Sequence, residues 1–477
     1  MKDRNVDVAI IGAGTAGLGA YRAAVKQTEN IVMIDGGPLG TTCARVGCMP
    51  SKLLIAAAEA AHVVNNADTF GITASDIQID GKAVMKRVKA ERDRFVGFVL
   101  ESIEQINSDH LIRGYARFIG PQTLQVDGEA VIKAKSIVIA TGSSPIIPPF
   151  LAEMGDKVIL NDDLFEWDDL PEAVAVFGTG IIGLELGQAL GRLGVRVSIF
   201  GRSGRVSPLG DPVCAEYARR HFSGVLDLTP AATIVDVKEV ENRLQIQFFG
   251  ENSAERVEIY DYALSAVGRQ PNVKSLAIEN AGVELDARSI PVYDPCTTQC
   301  GDKPVFIAGD VGNFRPLLHE AADEGRIAGK AAVDYPEVMA GNRRTPLAII
   351  FTDPQIAILG DRLVDLPEQT VEIGEVSFED QGRSRVLQKN KGVLRVYGEH
   401  GSGRFLGAEM IGPSAEHIGH LLAWARQNDM TVGQMLEMPF YHPVIEEGVR
   451  TALRVLNSKL KLGPLPVQRC LDCGPGA

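Results

Sequence analysis

The sequence predicts an α/β fold in which two Rossmann-like units are followed by a separate α+β domain. Two observations carry that expectation. A strand–glycine turn–helix–strand unit occurs twice, near residues 6–34 and 174–200, and from about residue 346 the pattern changes to longer strands and then helices. The length agrees: 477 residues exceed what one ordinary core holds and require about two to four domains.

In the first unit, residues 6–11 read as a buried strand, followed by Gly12-Ala13-Gly14-Thr15-Ala16-Gly17. A small-residue helix runs to about residue 26, and residues 31–34 form a second strand ending at Asp35. The pattern recurs as residues 174–177, Gly178-Thr179-Gly180-Ile181-Ile182-Gly183, a helix to about residue 193, and residues 195–200. A lone G-x-G-x-x-G says little, but each copy here follows a strand and opens a helix. The first glycine makes the turn, the second lets backbone approach a pyrophosphate, and the third lets helix and strand pack closely. The helix N-terminus then faces the anion. Two dinucleotide-binding units are therefore expected.

Between the copies, residues 114–131 alternate in short apolar runs, which suggests antiparallel strands. Residues 136–140 read as a buried strand running into Thr141-Gly142, and proline-rich 145–149 as a linker. After the second unit, strands at 263–267 and 305–308 end at Gly268-Arg269 and Gly309-Asp310. Strands such as 392–397 and helices at 417–428 and 444–456 belong to the last domain. The chain thus divides into a first dinucleotide-binding part (1–150), a second dinucleotide-binding domain (151–272), a return to the first (273–345), and a C-terminal domain with a cysteine-bearing tail (346–477).

Composition excludes several classes. The formal charge of −13 opposes a nucleic-acid surface, which would be basic. Seven cysteines are too few for a disulfide scaffold, and a close pair in a reducing cytoplasm is more often catalytic or metal-binding. Residues 6–24 are apolar enough to resemble a signal peptide, but Asp3 and Asp7 flank them and the glycines belong to the turn. Residues 173–200 are apolar too, yet Glu185, Arg192 and Arg196 interrupt them. Each charge at a membrane centre would cost about 2.5–3.5 kcal/mol. No membrane span and no nucleic-acid partner are expected.

The most specific stretch is Cys43-Ala44-Arg45-Val46-Gly47-Cys48-Met49-Pro50-Ser51-Lys52, which begins eight residues after Asp35. It lies on a loop and helix beside the first dinucleotide. Four intervening residues could let the sulfurs meet across a distorted helix start, and a helix N-terminus lowers a thiol pKa. The alternatives are two buried cysteines or half a zinc site. Zinc would need two further ligands, and none is local.

At this point the chain resembles, over essentially its whole length, the pyridine nucleotide–disulfide oxidoreductases of the dihydrolipoamide dehydrogenase, glutathione reductase and mercuric reductase group. The landmarks are Gly12/Gly14/Gly17, Cys43 to Lys52, Ala140-Thr141-Gly142, and Gly178/Gly180/Gly183 with Glu185. Further on come Gly268-Arg269-Gln270-Pro271-Asn272, Gly309-Asp310, Thr352-Asp353-Pro354, and His442-Pro443 with Glu447.

The resemblance implies an FAD-dependent enzyme moving electrons between NAD(P)H and a disulfide, most like dihydrolipoamide dehydrogenase, with a C-terminal dimerisation domain. It implies FAD in the first unit, with Asp35 near the adenosine ribose, Asp310 near the ribityl chain, and Thr42, Ala116, Thr141 and Gly142 among the contacts. Cys48 would face the isoalloxazine, Cys43 would exchange with substrate, and Lys52 would lie near flavin N5. Gly178, Gly180, Gly183, Glu185 and Gly268 would attend the nicotinamide nucleotide. His442 would act as acid–base from the second subunit of a homodimer, oriented by Glu447. Thiol exchange needs such a group, because imidazole takes and returns protons near neutrality. Pro443 at the start of a helix could bring Glu447 back toward the ring.

Departures from the family bear on substrate. The chain has Gly40-Thr41-Thr42-Cys43 where Gly-Gly-Thr-Cys is usual, Arg45 for asparagine, and Asp35 for glutamate. Phe440-Tyr441-His442-Pro443-Val444 replaces the His-x-His-Pro-Thr of lipoamide enzymes. Flavin and disulfide chemistry is untouched; a small disulfide such as lipoamide becomes a weaker expectation.

An NAD-preferring member would place an acidic residue after the second strand of the second unit. Phe200-Gly201-Arg202 stands there, with Arg205 close behind, and two guanidinium groups suit a 2′-phosphate. NADP(H) is therefore expected over NAD(H). Cys470-Leu471-Asp472-Cys473 in the tail is either an incidental pair or a relay dithiol like those of mercuric reductase and some thioredoxin reductases, from whose adjacent cysteines its spacing differs. It keeps open an NADPH-dependent metal-ion or protein-disulfide reductase. Cys296 and Cys300 read as packing residues; His417 and His420, which share a helix face without a third ligand, read as core or interface packing. A non-catalytic flavoprotein binding module is the remaining alternative, opposed by the Cys43/Cys48 pair, Lys52 and His442/Glu447.

Overall fold

The computed structural model describes residues 3–128, 130–250 and 254–462. Its first sheet is built on the strand Arg4–Ile11, flanked in parallel by Ile31–Asp35 and Ala130–Ile139. Leu111–Arg113 extends one side, Val305–Ile307 pairs with Ala130–Ile139, and the antiparallel strands Thr123–Val126 and Ala116–Gly120 complete the sheet. Val8, Ala9 and Ile10 are fully buried, because helices cover both faces of the parallel part. Those helices include α1 (Thr15–Ala24), with α2 (Thr42–Val46), α3 (Cys48–Asn65) and α4 (Gly81–Glu104) following the second strand.

The second sheet is wholly parallel, in the order Asp227–Thr229, Arg196–Phe200, Ala173–Phe177, Tyr262–Ser265, Val158–Ile159. It carries α5 (Asn161–Leu164), α6 (Ile181–Arg192) and α7 (Pro212–Val225), and an antiparallel meander of Thr233–Val240, Arg243–Phe249 and Glu255–Tyr260. The chain then returns to the first sheet and adds α8 (Leu318–Asp334), packed on α1. A five-stranded antiparallel sheet follows, in the order Leu347–Ile350, Gln355–Gly360, Phe405–Gly412, Val393–Glu399, Val371–Ser377. It is accompanied by α9 (Gly382–Val386), α10 (Ala415–Gln427), α11 (Val432–Leu436) and α12 (Glu447–Leu460). This is the expected α/β architecture of two Rossmann-like units and an α+β domain.

Two details depart from the sequence reading. The strand expected at 136–140 is the second half of Ala130–Ile139, whose first half alternates buried and open while its second half is buried throughout. The expected linker begins as a strand, Ser143–Pro145, paired antiparallel with Arg269–Pro271. Asn272 fastens this crossover: its Nδ2 donates to Thr141 O at 3.0 Å, and its Oδ1 accepts from Ser144 Oγ at 2.8 Å. No helix among the described residues is long and apolar enough to cross a membrane.

Candidate active site

The two glycine turns repeat one geometry. Gly12 and Gly178 have φ of +107° and +124°, a region that side chains rarely adopt. A Cβ on Gly12 would lie 2.3 Å from Ala140 O, and one on Gly178 would lie 2.2 Å from Ala266 O. Gly17 and Gly183 press the helix onto its turn, since their Cβ atoms would fall 1.8 and 1.9 Å from the oxygens of Gly12 and Gly178. Gly14 and Gly180, the N-caps of α1 and α6, have nothing within 4 Å. Each turn therefore leaves open backbone at a helix N-terminus, which is the shape and polarity a pyrophosphate requires.

Both turns open on one cleft of about 2050 Å³. Gly14, Thr42, Cys43, Cys48, Lys52, Gly142 and Asp310 line its first part, and Gly178, Gly180, Glu185, Arg202 and Gly268 its second. Gly12, Gly17 and Gly183 stand behind the turns as packing. Asp35 stays close to the first turn: its Oδ2 accepts from Ala13 N at 2.6 Å and its Oδ1 from Gly37 N at 2.7 Å. Ala116 is buried in the core of the first sheet. Asp310 accepts from Ser143 Oγ at 2.8 Å, and Arg269 Nε donates to that same Ser143 oxygen at 2.8 Å. Thr141 Oγ1 donates to Asn272 O at 2.8 Å.

The stretch from Cys43 to Lys52 is two helices where one distorted start was expected. Thr41 caps α2, with φ of 61° and its Oγ1 accepting from Ala44 N at 3.4 Å. Gly47 ends α2 and precedes α3, so Cys43 sits in the only turn of one helix and Cys48 at the first residue of the next. Asn161 Nδ2 donates to Val46 O at 2.7 Å, which supplies a partner to an end carbonyl of α2. The two thiols interact directly. The hydrogen bond to Cys48 pushes the Cys43 thiol far up, with burial adding to it. The same bond lowers Cys48 to about 7 against the opposing effect of burial, and Lys52 helps. Cys48 is thus the member that carries the negative charge. Burial holds the Asp162 carboxyl above its ordinary range, against the charges of Arg269 and then Arg45, which pull it down.

Lys52 Nζ pairs with Glu185 Oε2 at 2.7 Å and lies 4.7 Å from the centroid of the Phe351 ring. Glu185 is 4% exposed, and its Oε1 accepts from Phe351 N at 2.8 Å. Neither Asn161 nor Phe351 was found by sequence reasoning. Asn161 lies outside every motif, and the only pointer to Phe351 is that it directly precedes Thr352-Asp353-Pro354.

His442 Nδ1 lies 3.1 Å from both oxygens of Glu447, which also accepts from Val444 N at 3.2 Å and Arg450 Nη2 at 3.1 Å. The helix starts at Glu447 and not at Pro443, so the buried carboxylate sits at its first turn while the imidazole is half exposed. His442 and Glu447 do not line the cleft that holds Cys43 and Cys48 of their own chain.

Arg202 and Arg205 are exposed, and Arg202 lines the cleft. Arg205 is held through its backbone, its carbonyl accepting from Thr179 Oγ1 at 2.7 Å. Cys300 packs in the core, but Cys296 is exposed, so only one of the two is a packing residue. His417 and His420 are both exposed on α10, so they are not core residues, one of the two packing roles expected of them. Among the described residues no three His, Cys, Asp or Glu side chains group to hold a metal. Cys470 and Cys473 lie outside the described residues.

Comparison with known proteins agrees in length and order. Residues 6–325 match the pyridine nucleotide-disulphide oxidoreductases, and residues 347–453 match the dimerisation domain of that group. Dihydrolipoyl dehydrogenase of Bacillus subtilis (strain 168) is 28% identical over 456 residues, covering 94% of this chain and 97% of that protein. Mercuric reductase of Shigella flexneri is 29% identical over 469 residues, covering 95% and 81%. Among solved structures, LpdA from Mycobacterium tuberculosis superposes with a TM-score of 0.81 at 23% identity, covering 94% of this chain and 99% of that one. The HOCl-induced flavoprotein disulfide reductase RclA from Escherichia coli gives 0.76 at 22%, covering 96% and 100%. These two similarities show the fold. The dimerisation domain supports a homodimer. The chain belongs to the pyridine nucleotide-disulphide oxidoreductase family, flavoprotein enzymes with an FAD-binding domain, an NAD(P)-binding domain and a C-terminal dimerisation domain.

Proposed function

We propose that the protein is an NADPH-dependent disulfide reductase that works through Cys43 and Cys48 as a homodimer. The observation that carries this reading is the thiol pair on the wall of a cleft shared by both glycine turns, with Cys48 lowered to about 7. Residues 1–150 and 273–345 would form the FAD domain, 151–272 the nucleotide domain and 346–477 the dimerisation domain. The open backbone at Gly14 fits a pyrophosphate. Asp35 would serve the adenosine ribose and Asp310 the ribityl chain, with Thr42, Ala116, Thr141 and Gly142 alongside. When bound, FAD supplies the two-electron link between a nicotinamide hydride and the Cys43–Cys48 disulfide.

The chain's own groups account for the rest. His442 takes the Cys43 proton, Cys43 attacks one sulfur of the substrate disulfide, and the substrate S–S bond breaks. The departing thiolate takes a proton from the imidazolium of His442, contributed by the partner subunit. The Cys48 thiolate then attacks Cys43 in the mixed disulfide, which closes Cys43–Cys48 and releases the second substrate sulfur as a thiolate that takes its proton from water. Glu447 holds the imidazole and stabilises its cation. Lys52 favours the Cys48 thiolate, and Glu185 keeps Lys52 in place. Arg202 and Arg205 would receive a 2′-phosphate on the nucleotide. The sparse cysteines suit a reducing cytoplasm.

A second reading, reduction of a metal ion, is favoured by Phe440-Tyr441 in place of the lipoamide pattern and by the similarity to mercuric reductase. RclA, of the same fold, has been solved as a Cu(II) complex. Turnover with lipoamide, glutathione disulfide, thioredoxin, mercuric ion and Cu(II) separates the readings. For the first, anaerobic NADPH is expected to expose two additional thiols per chain, and Cys43→Ser to retain FAD but lose disulfide turnover. A protein that takes up no FAD, or whose flavin is reduced while both sulfurs stay oxidised, would overturn it.

A further inference from the structure

We infer that Gln188 is a positioning residue: its side-chain amide clips α6 to the backbone of Asp353 and holds the nucleotide-facing helix in register with Lys52. This rests on the proposed reading and gives the Thr352-Asp353-Pro354 landmark a role that the mechanism leaves unassigned.

Glu185, Gln188 and Arg192 are spaced three and four apart, so they share one face of α6. That face is zipped to residues 351–353. Glu185 Oε1 accepts from Phe351 N at 2.8 Å, and Arg192 Nη2 donates to Asp353 Oδ2 at 2.7 Å. Between them, Gln188 Oε1 accepts from Asp353 N at 2.7 Å while its Nε2 donates to Asp353 O at 3.0 Å. An amide offers an acceptor and a donor at once in that shape at any pH; an ionised carboxylate has no donor and a thioether only a weak acceptor. Gln188 is 5% exposed, so losing the pair leaves backbone groups without water to replace it. The far side of the clip is firm. Thr352 is 1% exposed and its Oγ1 donates to Pro354 O at 2.8 Å.

The clip lies on a helix with two other duties. Gly180 caps the N-terminus of α6 where the nucleotide pyrophosphate would sit, and Glu185 in its second turn holds Lys52. A helix of 12 residues moves as a unit, so slack at Gln188 reaches both ends. The domain itself does not depend on this contact. Glu409 Oε2 accepts from Gly210 N and Asp211 N at 2.7 and 3.0 Å, and Arg395 Nε donates to Asp211 Oδ2 at 2.8 Å, on the α7 side. Losing the clip therefore tilts α6 without releasing the domain.

The test compares FAD-loaded wild type with Gln188→Met and Gln188→Glu. In Gln188→Met, amide hydrogen exchange over residues 181–193 should speed up and the NADP⁺ dissociation constant rise about tenfold. Reduction by NADPH should slow about tenfold or more, while reoxidation of the pre-reduced dithiol by a disulfide, which feels α6 only through Glu185 and Lys52, slows by much less. Gln188→Glu should share the defect at pH 8 and recover as the pH falls, because a protonated carboxyl again offers one donor and one acceptor. Wild-type exchange and NADP⁺ affinity in both variants would overturn the inference. So would equal loss in both half-reactions together with loss of FAD, the mark of a merely structural role. If wild type is reduced by neither NADPH nor NADH, the proposed function itself fails.

Discussion

At Cys48 the charge of the pair is decided by one hydrogen bond and one neighbouring cation, and both can be perturbed separately. Because the thiolate is the reactive form and its pKa is lowered to about 7, the reactive fraction falls as the pH drops below about 7 and grows above it. Alkylation of the reduced protein should therefore accelerate with pH through that point. Lys52→Met removes a stabilising charge, so the same curve should move to higher pH and the rate at pH 7 should fall several-fold. Specificity is a residue matter too. Arg202→Glu should raise the KM for NADPH about tenfold or more with little effect on NADH, measured by initial rates. A wild type that prefers NADH would refute the NADP(H) assignment. Cys43, Cys48, Lys52 and Glu185 were legible in the sequence because motif chemistry names them. Asn161 and Phe351 were not, because each acts through a contact made more than a hundred positions away, Asn161 with Val46 and Phe351 with Glu185.

Among the elements, the glycine turns separate shape from stability. Gly14 has open space where the first carbon of a side chain would stand, whereas Gly17 would collide with the Gly12 carbonyl. Gly14→Val should thus fold and lose FAD, read as native thermal unfolding without bound flavin, while Gly17→Val should fail to fold. The break between α2 and α3 makes a second case. Asn161→Leu leaves the Val46 carbonyl buried and unpaired, which should cost about 1–3 kcal/mol in urea unfolding. Hydrophobic pattern and glycine spacing revealed both Rossmann-like units to within a few residues. Pattern did not reveal that residues 143–145 form a strand, because the partner at 269–271 is remote in sequence and neither segment alternates. The split at Gly47 was hidden for a related reason: a motif fixes residue types, while tertiary contacts such as that of Asn161 fix where a helix ends.

For the molecule as a whole, the proposed exchange chemistry would be incomplete within one chain. The Cys43–Cys48 pair opens on the cleft, and the His442–Glu447 pair lies on the C-terminal domain away from it. Tyr441 beside His442 is 79% exposed and Trp424 on α10 is 68% exposed, so the C-terminal domain presents aromatic side chains that a second copy could cover. If the acid–base comes from the partner, two inactive chains can repair each other. In a dimer of Cys43→Ser with His442→Gln, one site combines the intact cysteines of the second chain with the intact histidine of the first. The other site lacks both. Random pairing makes half of all dimers mixed, each with one working site of two, so co-expression should restore about a quarter of wild-type turnover. Were His442 to serve its own chain, every site in every pairing would lack one group, and the mixture would stay as inactive as its parents.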